Sequence, residues 1–379
     1  MSRVLVTGGA GFIGSHTVDL LLAKGYDVRI LDNLQPRVHP KGKPSYVPAK
    51  ADFIQGDVSN RADMIRALDD VEAVFHLAAY QDYMNDFSTF IHTNTESTAL
   101  LFELILERRL PVRKIVFASS QSVAGDGRYR CEQHGIVFPS PRPMDQLAKG
   151  DWEIRCPRCT SPMTPMLIEE STAIPHTTYA ISKYAIELLA ERLGRRYDIP
   201  TVCMRYTYVQ GPRNSFYNAY SGICRIFALR IRNGLAPVCY EDGQQQRDYV
   251  NVRDVARANV LALEHDGANF KVLNVGGGKA VRVLEFAGLM LEACRSSLEP
   301  LVPGQFRVGD TRHTVSDISE CGRLGWQPQI PVEQNIREYL DWIAEQDAPR
   351  DYVEQAERAM LHDQVIRTVD RSPVTASRR

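Results

Sequence analysis

The sequence predicts an α/β fold: a Rossmann-type, doubly wound parallel sheet with a smaller discontinuous substrate-binding domain and a small metal-ribbon insertion. Three observations predict it. Short apolar runs at 4–6, 28–31, 73–79 and 114–118 alternate with segments of helical periodicity, the pattern of parallel strands joined by crossover helices. The first run leads directly into Thr7-Gly8-Gly9-Ala10-Gly11-Phe12-Ile13-Gly14, a Gly-x-x-Gly-x-x-Gly spacing that opens a helix near Phe12. The length of 379 residues, 44% of them hydrophobic, suffices for two domains with a sizeable core.

The glycine stretch answers a physical need. A dinucleotide pyrophosphate must reach backbone N–H groups at a helix N-terminus, and only residues without a Cβ permit that approach. The helix that follows carries Val18, Leu21 and Leu22 on one face, and the next strand, 28–31, ends in Asp32 and Asn33. Asp32 lies about where a carboxylate reaches the adenosine ribose hydroxyls, roughly 20 residues beyond the glycines. A carboxylate repels a 2′-phosphate, so NAD is favoured over NADP, although Arg37 is close in sequence.

A Pro-rich loop (Pro36, Pro40, Pro44, Pro48) leads to a short strand at 53–58, ending at Asp57 and Val58. Asp57 reads equally as a contact to the adenine amino group or as a turn residue. The strand at 73–79 closes on Leu77, Ala78 and Ala79, small enough for a cofactor to lie against the strand end. An amphipathic helix from about 95 to 108 leads into 114–120, which ends in Ser119-Ser120. Ligands of such sheets bind beyond the carboxyl ends of the strands.

Charge and hydropathy exclude other classes. Forty-five basic and forty-six acidic residues give a net charge of −1, which favours neither nucleic acid nor an anionic membrane as a partner. No apolar run has the length of a membrane span. The first strand starts within a few residues of Met1, so a signal peptide is not expected and the cytoplasm is. Of eight cysteines, the clustered ones read as metal ligands in a long intracellular chain.

Farther on, Tyr179 and Lys183 stand one turn apart at the start of a long amphipathic helix. A neighbouring ammonium favours the phenolate, so the tyrosine can exchange a proton with an alcohol, and Ser120 can orient the same hydroxyl.

Together the glycine stretch, Asp32, Asp57, His76-Leu77-Ala78-Ala79, Asn94, Ser120 and Tyr179/Lys183 resemble an extended short-chain dehydrogenase/reductase of the nucleotide-sugar epimerase and dehydratase branch, over nearly all of residues 1–345. The resemblance implies a catalytic triad of Ser120, Tyr179 and Lys183. It also implies an NAD site of Gly8, Gly11, Phe12, Ile13, Gly14, Asp32, Asn33, Asp57, Val58, Leu77, Ala78, Ala79, Asn94, Tyr179 and Lys183. Ser120, Gln121, Tyr208, Arg247 and Arg312 are the implied substrate contacts, the two arginines reaching the nucleotide diphosphate through a planar fork suited to phosphate oxygens. A homodimer is implied through the helix before Arg108 and the helix of Tyr179.

Departures narrow the reaction. Where 4,6-dehydratases of the family follow the catalytic hydroxyl with Asp-Glu, this chain has Gln121-Ser122, which lack the carboxyl groups that elimination of water requires. Tyr208 stands where the family usually has asparagine, and Ala124 replaces a tyrosine of the sugar pocket. The expectation is a transient oxidation at the sugar C4 by NAD and return of the hydride to the opposite face. Dehydration, net dehydrogenation or reduction, and a nucleotide-sensing binding module remain the alternatives.

The largest departure is an insertion at 127–167, holding Cys131-x-x-His134 and Cys156-x-x-Cys159. Two short knuckles separated by a loop supply four ligands for a structural zinc. Its mixed charges (Arg128, Arg130, Arg155 and Arg158 beside Glu132, Asp145, Asp151 and Glu153) suit a lid or subunit contact. Cys203, Cys224, Cys239, Cys294 and Cys321 read as small core residues. An epimerase with such an insertion is similar to the dTDP-L-rhamnose 4-epimerase group.

The domain reading is an NAD domain over 1–210, interrupted by the insertion. A substrate domain follows over 211–345, with part of 248–275 returning to the first domain. Residues 346–379 form a helix with the periodicity of Tyr352, Val353, Ala356 and Met360, then a disordered tail.

Overall fold

The computed structural model describes residues 3–82, 85–217, 222–347 and 352–369. Seven parallel strands form the main sheet, in the spatial order Lys271–Val275, Thr201–Tyr206, Lys114–Ser120, Ala73–His76, Arg3–Thr7, Asp27–Asp32, Asp52–Gln55. The chain winds outward from Arg3–Thr7 to Asp52–Gln55, then crosses to Ala73–His76 on the other side of its first strand. The strand order therefore reverses between Arg3–Thr7 and Ala73–His76, the kind of switch point at whose carboxyl ends such sheets bind ligands.

Strands buried on both faces must be apolar at every position, and 4–6 and 115–117 are. Val4, Val6, Ile30 and Phe75 face the helices Phe12–Ala23 and Val252–Glu264, while Leu5, Leu31, Val74 and Phe117 face Arg61–Ala67, Ser97–Glu107 and Thr178–Arg196. The alternation Val4, Leu5, Val6 across the two cores is the period of two that a pleated strand imposes.

A second lobe is built on Gln246–Asn251, which pairs with Tyr208–Gln210 and His313–Thr314 in parallel and with Ala280–Arg282 antiparallel. Phe216, Phe227, Phe286, Ile336 and Tyr339 fill its core. The helix Val252–Glu264 and the strand Lys271–Val275 lie against the main sheet instead. A helix at Tyr352–His362 follows the periodicity read from the sequence, and Ile366–Thr368 pairs with Gln305–Arg307. The tail expected to be disordered, from Ser372 onward, lies outside the described residues.

Two elements differ from expectation. The strand expected over 53–58 ends at Gln55 because the Asp57 carboxylate accepts from Ser59 N (2.9 Å) and Ser59 Oγ (2.6 Å), closing a turn. The helix expected from 95 starts at Phe87 and passes through a π-helical stretch, Ile91–Glu96, before Ser97–Glu107. Widened turns of this kind accompany functional side chains, and this one carries Asn94.

The insertion is a small antiparallel sheet, Gly135–Val137, Arg128–Cys131 and Thr164–Met166, around Tyr129, Ile154 and Met163. Of the five scattered cysteines, Cys203, Cys224, Cys239 and Cys321 are buried, and Cys294 is only partly so.

Candidate active site

Local geometry explains the glycines. Gly8 has φ of +67° and backs onto the strand of His76: a Cβ there would lie 2.8 Å from Ala78 Cα. A Cβ on Gly14 would lie 2.1 Å from the Gly8 carbonyl oxygen. The helix Phe12–Ala23 starts at Gly11 with no side-chain cap, so N–H groups of its first turn face outward from the loop. Asp32 accepts from Ala10 N (3.0 Å) and Leu34 N (2.9 Å), joining the loop to the next strand end. Asn33 donates to Asp57 Oδ2 at 2.8 Å. Burial acts to raise the Asp57 carboxyl, but hydrogen bonds from Ser59 and Asn33 outweigh it and hold the group below its ordinary range. A dinucleotide fits this cradle: backbone donors, no Cβ in the way, and a buried acid at the second strand.

Thr7 Oγ1 accepts from Leu77 N and Ala78 N, 3.1 Å each, and contacts His76 Nδ1 at 3.2 Å. Burial, followed by the charge of Lys183, pushes His76 down to about 3, so the ring is neutral between Thr7 and Ser97. Asn94 is buried; its Nδ2 donates to the Tyr80 carbonyl and to Ser182 Oγ (3.0 Å each), and its Oδ1 accepts from Tyr80 N at 2.8 Å. It joins the loop after Ala79 to the helix of Tyr179. Val58 is buried in the core cluster of Leu5, Leu31 and Met64.

Ser120 ends its strand and accepts from Ser122 N (3.2 Å), capping the short turn Gln121–Ala124. Gln121 is buried and its Oε1 has no partner. Thr177 Oγ1 accepts from Ala180 N (3.2 Å) and starts the helix Thr178–Arg196, which packs on both the strand of Ser120 and that turn. Lys183 therefore reaches the strand end, with Tyr179 one turn before it on the same helix and its ring against Phe90. Lys183 is buried, donates to the Ala118 carbonyl at 2.8 Å and lies 5.9 Å from the centre of the Tyr179 ring. Burial pulls its pKa down to about 7.

Sequence reasoning missed the support beneath this trio. Arg205 makes a two-pronged contact with Glu187 (2.7 Å each), donates to the carbonyls of Glu170 and Thr172, and Glu187 accepts from Ser119 Oγ. The only signal was a charged residue within an otherwise apolar strand and another on the inner face of the helix.

On the second lobe, Arg247 is buried, its guanidinium 5.3 Å from the centre of the Tyr208 ring. Its Nη atoms donate to the carbonyls of Arg312 (3.0 Å) and Thr311 (2.8 Å) and to Asp310 Oδ1 (3.2 Å). Burial opposes its charge, yet the surrounding Tyr208 and Asp310 raise its pKa further.

Arg312 requires a correction. It is fully buried, and all five of its guanidinium N–H donors go to carboxylates: Glu153 through Nε (3.2 Å) and Nη2 (2.6 Å), Glu241 through Nη1 (2.9 Å), and Asp242 through Nη1 (2.7 Å) and Nη2 (2.9 Å). It is an internal hub with no donor left for a phosphate. Glu153 belongs to the insertion, which thus turns acidic and basic groups inward as well as outward.

Cys131, His134, Cys156 and Cys159 converge, their ligand atoms within 4.8 Å of one another. Cys131 Sγ is 3.5 Å and Cys156 Sγ 3.4 Å from His134 Nδ1, and Cys131 Sγ is 3.6 Å from Cys159 Sγ. Three thiols and an imidazole at these separations fit a tetrahedral ion closed to further ligands.

Residues 4–142 and 157–276 match the model of the NAD dependent epimerase/dehydratase family. The chain belongs to this family. It is 32% identical to a dTDP-L-rhamnose 4-epimerase of Burkholderia thailandensis, covering 91% of this chain and 95% of that one. A putative UDP-glucose 4-epimerase of Methanocaldococcus jannaschii is 30% identical, over 90% and 98%. Among solved structures, the UDP-glucose 4-epimerase of Thermotoga maritima with UDP-glucose superposes with a TM-score of 0.73 at 29% identity, over 90% and 99%. That of Thermus thermophilus with NAD gives 0.69 at 30%, over the same shares. The family match omits 143–156, in the middle of the insertion.

Proposed function

We propose that this family member is an NAD-dependent nucleotide-sugar 4-epimerase acting on dTDP-L-rhamnose or a related nucleoside-diphosphate hexose. What supports this reading is the glycine cradle together with Ser120 at the end of its strand and the helix of Tyr179 and Lys183 packed on that strand, Lys183 bonding the Ala118 carbonyl, with Gln121-Ser122 where elimination of water would need carboxyl groups. The named relatives support the class, and the rhamnose nucleotide comes from one of them.

Gly8, Gly11 and Gly14, with Phe12 and Ile13 in the first helical turn, would hold the cofactor pyrophosphate, and Asp32 the ribose hydroxyls. Asn33, Asp57 and Val58 would line the adenine end, and Leu77, Ala78, Ala79 and Asn94 the face beyond. Held there, NAD would supply a reversible hydride acceptor for the sugar C4, the chemistry a 4-epimerisation requires. Tyr179 as phenolate takes the C4 hydroxyl proton and later returns it. Lys183, held by the Ala118 carbonyl, keeps the phenolate favoured when protonated. Ser120 orients the hydroxyl.

Zinc bound by Cys131, His134, Cys156 and Cys159 would be structural, fixing a ribbon with a core of only a few residues. A homodimer is supported by exposed Ile181 and Leu188 on the helix Thr178–Arg196, with Ile91 and Leu106 on the neighbouring helical run. Eight cysteines without a disulfide suit the cytoplasm, and no helix among the described residues is long and apolar enough to cross a membrane.

The test is proton NMR of the purified protein in heavy water with dTDP-L-rhamnose and a panel of UDP- and GDP-sugars. A 4-epimer without deuterium is expected from the wild type and not from Tyr179→Phe. Deuterium at carbon 6 with loss of the 6-hydroxyl would make it a dehydratase, and an NAD-bound protein inert across the panel would refute the substrate class.

A further inference from the structure

The insertion is fastened to the second lobe through buried charges. Arg142 forks onto Glu241, Nη1 to Oε2 at 2.9 Å and Nη2 to Oε1 at 2.7 Å, and also donates to the carbonyls of Trp152 and Asp310. Glu241 and Glu153 then meet on Arg312. The side chains of Arg142, Glu241 and Arg312 are 3%, 1% and 0% exposed. A junction of this kind is not a cheap way to gain stability, because desolvation cancels much of the attraction, and an apolar contact of equal volume often serves as well or better. What two forked guanidinium contacts provide in addition is a fixed distance and orientation.

The part being oriented is the segment around Arg312. Arg312 N donates to Asp126 Oδ1 (3.1 Å) where the chain enters the insertion. Ile168, where it leaves, exchanges main-chain bonds with the same segment, Ile168 N to Val315 O and Asp317 N to Ile168 O, both 2.9 Å. The carbonyls of Thr311 and Arg312 and the carboxylate of Asp310 in turn hold Arg247 against Tyr208. A line of contacts thus runs from the insertion through Arg312 to Arg247 and Tyr208 of the second lobe.

We infer that Arg142 and Glu153 are positioning residues for nucleotide-sugar binding: through Arg312 they set the place of Arg247 and Tyr208 relative to Ser120 and Tyr179. The inference rests on the reading of the second lobe as the nucleotide-sugar side. Neither residue touches the cofactor cradle or the catalytic trio, so their effect falls on substrate affinity and not on chemistry.

Two variants test it in the full-length, NAD-loaded protein. Glu153→Ala removes a half-exposed carboxylate and leaves Arg312 paired with Glu241 and Asp242, so the fold survives. The double variant Arg142→Met/Glu241→Met replaces a buried pair by apolar side chains of similar volume. For both, KM for the nucleotide sugar rises about tenfold while kcat stays within about threefold, the pattern of lost ground-state binding, and NAD content equals that of the wild type. A structural role alone makes a different prediction: the apolar pair would keep thermal stability and KM together. An unchanged KM in either variant, or a fall in kcat at constant KM, overturns the inference. Calorimetric titration with dTDP and UDP separates the two readings. If the wild type turns over no nucleotide sugar the parent proposal fails, while about tenfold weaker dTDP or UDP binding by the variants still upholds the positioning role and unchanged binding refutes it.

Discussion

Substituting Gly14 by alanine tests the cofactor cradle most directly. The added methyl would sit 2.1 Å from the Gly8 carbonyl oxygen, 2.8 Å from its carbon and 2.9 Å from Gly9 Cα. All three are backbone atoms of the loop, so no side chain can swing aside. Non-bonded carbon and oxygen need more than about 3 Å, so the loop must retreat by about 1 Å. A hydrogen bond of about 2.9 Å stretched by that amount is lost. If two loop N–H groups bind the cofactor's charged pyrophosphate, at roughly 1.5–3 kcal/mol each, the loss is about 3–6 kcal/mol, a hundredfold or more in NAD affinity.

The control is Gly25→Ala. Gly25, unlike Gly14, has positive φ, +87°, and nothing lies within 4 Å of its added methyl; the change costs about 1–2 kcal/mol of backbone strain and should leave the cofactor alone. The assay is NAD released per chain after gel filtration and denaturation, with NADH fluorescence titration of stripped protein. A Gly14→Ala variant that retains stoichiometric NAD at wild-type affinity would refute the reasoning, since the methyl would then have been absorbed without moving the loop.

Two further outcomes are expected. Burial lowers Lys183 from 10.5 to about 7, so the unfolded chain holds more protons than the native one between those values and stability rises with pH through that window. Lys183→Met removes the term: its stability relative to cofactor-stripped wild type should fall by roughly 3 kcal/mol between pH 7 and 9.5 in urea unfolding, and a pH-independent difference would refute the assignment. For the metal, about one zinc per chain is expected, and stripping it with a chelator should speed hydrogen exchange at Arg128–Cys131, Gly135–Val137 and Thr164–Met166 by tenfold or more while the main sheet stays protected. Unaltered exchange in the stripped protein would remove zinc from the account of the ribbon.

The readable parts of this protein are those whose cause is local. Strand, glycine turn and helix succeed one another within the first residues, so the cradle and Asp32 follow from spacing alone. Tyr179 and Lys183 share a helical face by the same token, and the two Cys/His knuckles announce their own convergence. Arg312 was misread because nothing near it in sequence reveals its partners: Glu153, Glu241 and Asp242 come from two other segments, and three carboxylates turn a phosphate-seeking side chain into a buried hub. Arg205 was overlooked for a related reason, since its counter-charge Glu187 sits on a different element, on the buried face of the helix Thr178–Arg196. Asn94 is singled out only by resemblance; the widened helical turn that presents it has no mark in the residue pattern.

The insertion separates Ser120 from Tyr179 in sequence, yet the helix Thr178–Arg196 packs directly on the strand that Ser120 ends, and the reason lies at the neck of the insertion. Gly127 N donates to the Ala124 carbonyl on the entering side, and Arg128 pairs with Glu169 across the opening. Just beyond, Arg205 grips the carbonyls of Glu170 and Thr172 while holding Glu187 of the catalytic helix, and Lys183 holds the carbonyl of Ala118. The relation of strand end to helix is thus set by contacts that do not pass through the ribbon. The side of the ribbon that carries Arg142 and Glu153 reaches the other lobe through Glu241 and Arg312. The division of contacts gives the ribbon influence over where the substrate sits and little over the proton transfer itself, which is why its variants should move KM and spare kcat.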